Sequence, residues 1–234
     1  MTEAEWLASD EPVTLLDFVR NRMTARKSRL LAAAFCRHVL PLVNEGCCQR
    51  AIDIAERYAD ELASLDEMLA VSEEVADAYL NCPNPAPANT EAPLSFKAES
   101  IAIQSARFLT RDIDSFLFDC CRCTELATLR WALLLARPDE EIAWCSRIQW
   151  QLLLIKDVVG DPFRPVPLSP AWRSATVVAL AQNIYAERAF DRLPILADAL
   201  EDAGCTNCAI LDHCRQPGEH VRGCWVVDLV LGKQ

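Results

Sequence analysis

Cys205, Cys208, His213, Cys214, His220 and Cys224 place six thiol or imidazole side chains within twenty consecutive residues, spaced Cys-x2-Cys-x4-His-Cys-x5-His-x3-Cys. Thiolate sulfur and imidazole nitrogen satisfy a tetrahedral zinc ion, and a Cys-x2-Cys pair can grip one from a single turn. Zinc is therefore the cofactor this stretch suggests, with all six residues as candidate ligands. A plainer role competes, since free cysteine is among the most buried residue types and a core histidine is commonly satisfied by hydrogen bonds. The surroundings differ from a two-pair zinc module: Cys205 follows a helix end, Cys208 stands early in a predicted helix, and Cys224 adjoins the apolar Trp225-Val-Val.

Other chemistry finds less support. Cys47-Cys48 and Cys120-Cys121-x-Cys123 are dense, but adjacent helical residues point about 100° apart and chelate one ion poorly, so helix packing explains them better. A redox role would need a depressed thiol pKa, for which Arg122 beside Cys121 and Cys123 is the available cation. The chain has 3 histidines in all and no Gly-x-Ser-x-Gly elbow for a nucleophile. His38, the third, falls inside an amphipathic helix. Neither a Gly-x-Gly-x-x-Gly turn nor a Walker-type loop precedes a helix, which argues against nucleotide hydrolysis. The acids Glu187, Asp191, Asp198, Glu201 and Asp202 read as a surface paired with Arg188 and Arg192. Asp161, Arg164, Asp191 and Arg192 are expected to meet in a polar network around a proline strap.

The elements that must position these residues are helical. Only 6 of 234 residues are glycine, while 52% are hydrophobic and 24% charged, a balance that suits helices joined by short loops. Thr2-x-x-Glu5 is a capping box, and Pro12 suits the first turn of a second short helix. Apolar residues recur at helical spacing from Thr24 to Val43, with Pro41 near the end, and again from Glu45 to Ala63. Ser64-x-x-Glu67 then caps a helix running towards Leu80.

Residues 81–95 form a proline-rich connector. Beyond it, helices are expected from Phe96 to Ala136, from Pro138 to Val159 with Gly160 as the stop, from a Ser169-Pro170 start to Ile184-Tyr185, from Asp191 to Ala203, and from Thr206 to Cys214. Cys224 to Leu231 carries β-branched residues that permit a strand, but a helical domain offers it no partner, so helix is preferred. The reading is all-α: a compact bundle of stacked helical hairpins in a single domain, with residues 1–80 as N-terminal hairpins and 96–234 as a C-terminal helical layer.

Charge sets further bounds. A net charge of -11 repels phosphate backbones, so nucleic acid is not an expected partner. No apolar run reaches the roughly 18–20 residues of a membrane span. The acidic start lacks the basic and apolar pattern of a leader, which points to the cytoplasm and to reduced thiols. Basic residues gather in the early helices and acidic ones in the later, so pairing across packed helices is expected. Arg22, Arg26 and Arg29 share one helical face and are the candidate contacts for an acidic protein partner, with Trp172 as an exposed aromatic.

Several segments together carry a resemblance: Met1-Thr-Glu-Ala-Glu-Trp-Leu7, Arg26-Lys-Ser-Arg-Leu30, Ala51 to Asp60, Asp161-Pro-Phe-Arg-Pro-Val166, Ala189-Phe-Asp-Arg-Leu-Pro-Ile-Leu-Ala-Asp-Ala-Leu200, and His220-Val-Arg-Gly-Cys-Trp-Val-Val-Asp-Leu229. On these the chain resembles an uncharacterised, planctomycete-type bacterial protein family. The resemblance covers both ends, about half the chain, and implies no activity, substrate or catalytic residue. Such sequences look richer in cysteine along the early helix, where this chain has Ala33 and Phe35, and carry another residue in place of Cys208, which weakens the Cys205–Cys208 pair. Three readings of function follow. The first is a non-catalytic cytoplasmic helical module that engages another protein. The alternatives are a zinc-binding structural or sensing module using the C-terminal cluster, and an enzyme of unknown class.

Overall fold

The computed structural model describes residues 1–42, 46–81, 106, 120–121 and 140–233. Among them the chain is helical without a strand: α1 (Glu3–Ala8), α2 (Pro12–Val19), α3 (Ala25–Val39), α4 (Gly46–Ala59), α5 (Leu65–Asn81), α6 (Glu140–Val159), α7 (Ala175–Glu187), α8 (Leu193–Asp202), α9 (Cys208–Arg215) and α10 (Trp225–Leu231). The all-α reading holds, and the ambiguous C-terminal run is the helix α10. The proline connector, most of the expected helix from Phe96 to Ala136, and Pro138 lie outside the described residues. The chain divides into two compact units, residues 1–152 and 153–234, with the boundary inside α6.

In the first unit the predicted starts are the observed ones. Thr2 and Glu5 form a reciprocal capping box, Pro12 occupies the first turn of α2, and the Thr24 hydroxyl accepts from Lys27 N–H. A second reciprocal box opens α5, where Ser64 Oγ accepts from Glu67 N–H and the Glu67 carboxylate accepts from Ser64 N–H. α3 packs on α4 and α4 on α5, as stacked hairpins do. The middle of α3 is enclosed on every side: Leu31, Ala32, Ala33 and Phe35 are fully buried. Cys47 and Cys48 are buried with Ala51, Val71 and Val75, and Cys120 and Cys121 are also buried, which is the packing role expected of them. His38 stacks on Trp150, ring centroids 3.9 Å apart.

The basic and acidic blocks do pair across helices. Arg37 meets Asp53 at 2.8 Å and Glu56 at 3.2 Å, Arg50 meets Glu74, and Arg26 meets Asp60 at 2.8 Å. The last pair is the most enclosed, with the Arg26 side chain 13% and the Asp60 side chain 3% exposed. Removing one partner of such a pair leaves the other desolvated, so Asp60→Ala is expected to cost about 3 kcal/mol, seen as a lower chemical-denaturation midpoint at unchanged slope. A shift of under about 0.5 kcal/mol, the size expected of a surface substitution, would mean the pair is merely superficial.

In the second unit α7, α8, α9 and α10 enclose one apolar core that includes Val177, Ile184, Leu196, Ile210 and Val227. Three helix starts differ from the sequence reading, the first two for a capping reason. Pro170–Trp172 is a 3-10 turn, and α7 begins only at Ala175, because Ser174 Oγ accepts from Val177 N–H whereas Ser169 makes no side-chain cap bond. Asn207, not Thr206, caps α9 by accepting from Ile210 N–H. Phe190–Arg192 is likewise a 3-10 turn ahead of α8.

α6 stops at Gly160, as expected, with φ +72°. A Cβ there would lie 3.0 Å from the Trp225 ring as well as straining the backbone, so Gly160→Ala is expected to destabilise by about 1–3 kcal/mol. Thermal melting checks this, and a neutral substitution would show that neither constraint is felt.

Candidate metal centre

Four side chains of the second unit converge: Asp157, His213, His220 and Cys224, each offering a donor atom within 4.8 Å of the others. Asp157 stands in the last turn of α6, His213 on α9, His220 in the loop after it, and Cys224 at the N-cap of α10. Asp157 is the hub. Its Oδ1 lies 2.6 Å from His220 Nδ1 and 3.1 Å from His213 Nε2, while its Oδ2 accepts from Val221 N–H at 3.0 Å. His213 Nε2 also lies 3.2 Å from Cys224 Sγ. The His213 ring packs against Trp225 with centroids 5.1 Å apart, so an aromatic wall closes that side.

The group is enclosed. The carboxylate is 3% exposed and the His213 and His220 side chains 9% and 6%. Burial opposes the charge of Asp157, but hydrogen bonds from His213 and His220 outweigh it and hold the carboxyl below its usual range. Burial likewise opposes charge on His220, yet its bond to Asp157 wins and raises the imidazole above its ordinary value. Burial and the nearby Asp157 charge push the Cys224 thiol well above 9.0, against the opposing effect of Val227 and Val226 N–H. Without metal the Asp157 carboxylate therefore favours its charged form, the His220 ring holds its proton more tightly than usual, and the Cys224 thiol stays protonated.

The donor set fits a metal ion. Ligand bonds of about 2.0–2.3 Å in a tetrahedron put donors about 3.3–3.7 Å apart. Three of the contacts, at 2.6, 3.1 and 3.2 Å, are shorter than that, and all four donors lie within 4.8 Å of one another, so side-chain rotations would be needed to seat an ion. One ion would then meet two nitrogens, one oxygen and one sulfur.

The six sequence candidates divide. His213, His220 and Cys224 belong to the converging group. Cys205 and Cys214 instead lie in the apolar core of this unit, and Cys208 is exposed in the first turn of α9. Burial, helped by the Asp157 charge, raises the Cys214 thiol to about 12, which suits an inert packing residue. Asp157 was missed because it lies 63 residues before His220. One signal could have found it: Leu154 and Val158 are fully buried at helical spacing, and Asp157 shares their side of α6, a carboxylate where the pattern requires an apolar residue.

The other expected clusters resolve into local contacts. Asp161 accepts from Phe163 and Arg164 N–H within its own strap, and Arg192 pairs with Glu187 at 3.3 Å. The α8 acids Asp198 and Glu201 are held by Arg215 of α9, a cation the sequence reading did not assign to them. Of the three partner-binding candidates, Arg26 pairs with Asp60, Arg29 is buried over the Tyr58 ring, and Arg22 lies over the Phe18 ring at 4.2 Å. Trp172 is half-buried against the second core.

No protein-family model, curated protein or solved structure matches this chain. Its fold and site define an all-α protein whose second unit carries a buried Asp/His/His/Cys group that could hold a metal ion.

Proposed function

We propose that the C-terminal unit is a zinc-binding module in which the ion, held by Asp157, His213, His220 and Cys224, has a structural role. The observation that carries this reading is the convergence of four potential ligands from α6, α9, the following loop and α10 on one buried point. One thiolate, two imidazoles and one carboxylate are all ordinary zinc ligands, whereas magnesium and calcium select oxygen-only cages. Protein side chains fill all four tetrahedral positions, leaving no open position for substrate, which distinguishes a structural site from a catalytic one. An ion here would tie the end of α6 to a loop 63 residues further on, closing a long stretch of chain with one bond set.

The reading places the protein in the cytoplasm, where Cys224 would remain a reduced ligand. No helix among the described residues is long and apolar enough to cross a membrane. A protein-interaction role has less to rest on, because Arg26 and Arg29 are committed inside the first unit.

Elemental analysis of protein purified without added metal is the direct test, supported by cobalt titration of chelator-treated protein. About one equivalent of zinc is expected, together with the visible absorption of a tetrahedral thiolate-bound cobalt ion. Less than about a tenth of an equivalent and no cobalt spectrum would rule the site out.

A further inference from the structure

His213 meets the group through Nε2, and its other ring nitrogen, Nδ1, lies 3.1 Å from the side-chain nitrogen of Gln216. An amide nitrogen only donates, so with the amide in this orientation Nδ1 is the acceptor and the proton of a neutral ring stands on Nε2. There it faces Asp157 Oδ1 at 3.1 Å and Cys224 Sγ at 3.2 Å. That tautomer cannot ligate, because coordination requires the Nε2 lone pair. The proton must stand on Nδ1 instead, and a metal-bound histidine almost always gives that outer N–H to an acceptor. Gln216 carries the acceptor in the same amide: half a turn about its last bond replaces the nitrogen with Oε1 without changing the side chain's shape.

His220 Nδ1 is committed to Asp157 Oδ1, and its Nε2 is buried without a hydrogen bond. Gln216 sits at the C-cap of α9, its N–H donating to Asp212 O at 2.8 Å, so its backbone is fixed while its exposed side chain can turn.

We infer that Gln216 is the positioning residue of the metal centre, turning its amide so that Oε1 accepts from His213 Nδ1–H when Nε2 takes the ion. The step conserves the ring's single proton, which moves from Nε2 to Nδ1 through solvent exchange. This inference rests on the zinc reading above and concerns which residue sets the ligand's tautomer.

The test compares the full chain with Gln216→Met, which is neutral and lacks the acceptor, and Gln216→Glu, which keeps one. Zinc affinity is measured by competition with a chromophoric chelator, and the His213 tautomer by long-range nitrogen–proton NMR. Gln216→Met is expected to bind zinc about 10–100-fold more weakly and Gln216→Glu to recover the wild-type affinity. In the wild type the His213 proton is expected on Nε2 without metal and on Nδ1 with it. Gln216→Met within about twofold of wild type, or Gln216→Glu as weak as Gln216→Met, overturns the inference while leaving the zinc site standing. If Gln216→Met fails to fold, Gln216→Ala at this exposed C-cap takes its place, and zinc affinity within about twofold of wild type overturns the inference. A wild type that takes up no ion overturns both readings together.

Discussion

Asp157→Ala is expected to abolish zinc binding and, in the metal-free protein, to lower the stability of the C-terminal unit by about 3–5 kcal/mol. Both effects come from the hub position of this carboxylate. It faces both histidines through one oxygen and accepts the Val221 N–H through the other. Alanine leaves the buried His220 and His213 rings without the carboxylate they face and the Val221 N–H without an acceptor, and each of these defects is costly. It also removes the ligand that comes from outside the 205–224 segment. Two cysteine variants supply the contrast. Cys208→Ser, at an exposed site, should change neither zinc content nor stability. Cys205→Ala should cost core packing while retaining the metal, because its sulfur lies in the apolar cluster. Denaturation followed by circular dichroism, with and without chelator, and elemental analysis read both effects. Stoichiometric, tight zinc in Asp157→Ala would remove the carboxylate from the site.

The second large effect is a reversal of pH dependence on metal loading. Without metal, Asp157 has a lowered pKa. Its contribution is present above the unfolded value of about 3.9 and is lost as pH falls through the lower folded value. His220 has a raised pKa. Its contribution is complete below the unfolded value of about 6.5 and is lost as pH rises through the higher folded value. The metal-free unit should therefore weaken as pH rises past about 6.5.

Zinc binding works in the opposite direction, because it displaces the His220 proton and the proton of the Cys224 thiol, which burial holds well above 9.0. Affinity should climb about a hundredfold per pH unit while both protons are displaced, and about tenfold per unit once His220 has titrated. At free zinc a thousand times its dissociation constant, the loaded form gains about 4 kcal/mol over the metal-free one, and at constant free zinc that gap should widen as the affinity rises with pH. Competition titrations across about pH 6 to 8, corrected for the chelator, measure the slope. A pH-independent affinity would mean that zinc does not displace these protons.

The helical character of this protein was legible residue by residue. The 3.6-residue recurrence of apolar positions, the two capping boxes, Pro12 and Gly160 mark starts and stops through forces that act within one or two turns, so the chain order alone carries them. At the start of α7 the local pattern pointed to Ser169-Pro170 whereas Ser174 is the cap, because the outcome depends on which hydroxyl reaches a free N–H.

The metal centre was half visible. His213, His220 and Cys224 stood out by type and spacing, but so did Cys205, Cys208 and Cys214, and spacing could not rank the six. Tertiary packing made the selection: it turned Cys205 and Cys214 into the apolar core, left Cys208 in solvent, and brought Asp157 across 63 residues of sequence to face His220. Periodicity records which side of a helix is buried, whereas convergence of donors depends on how helices distant in sequence are laid against one another. Only the assembled core fixes that, because only there does each side chain acquire its neighbours.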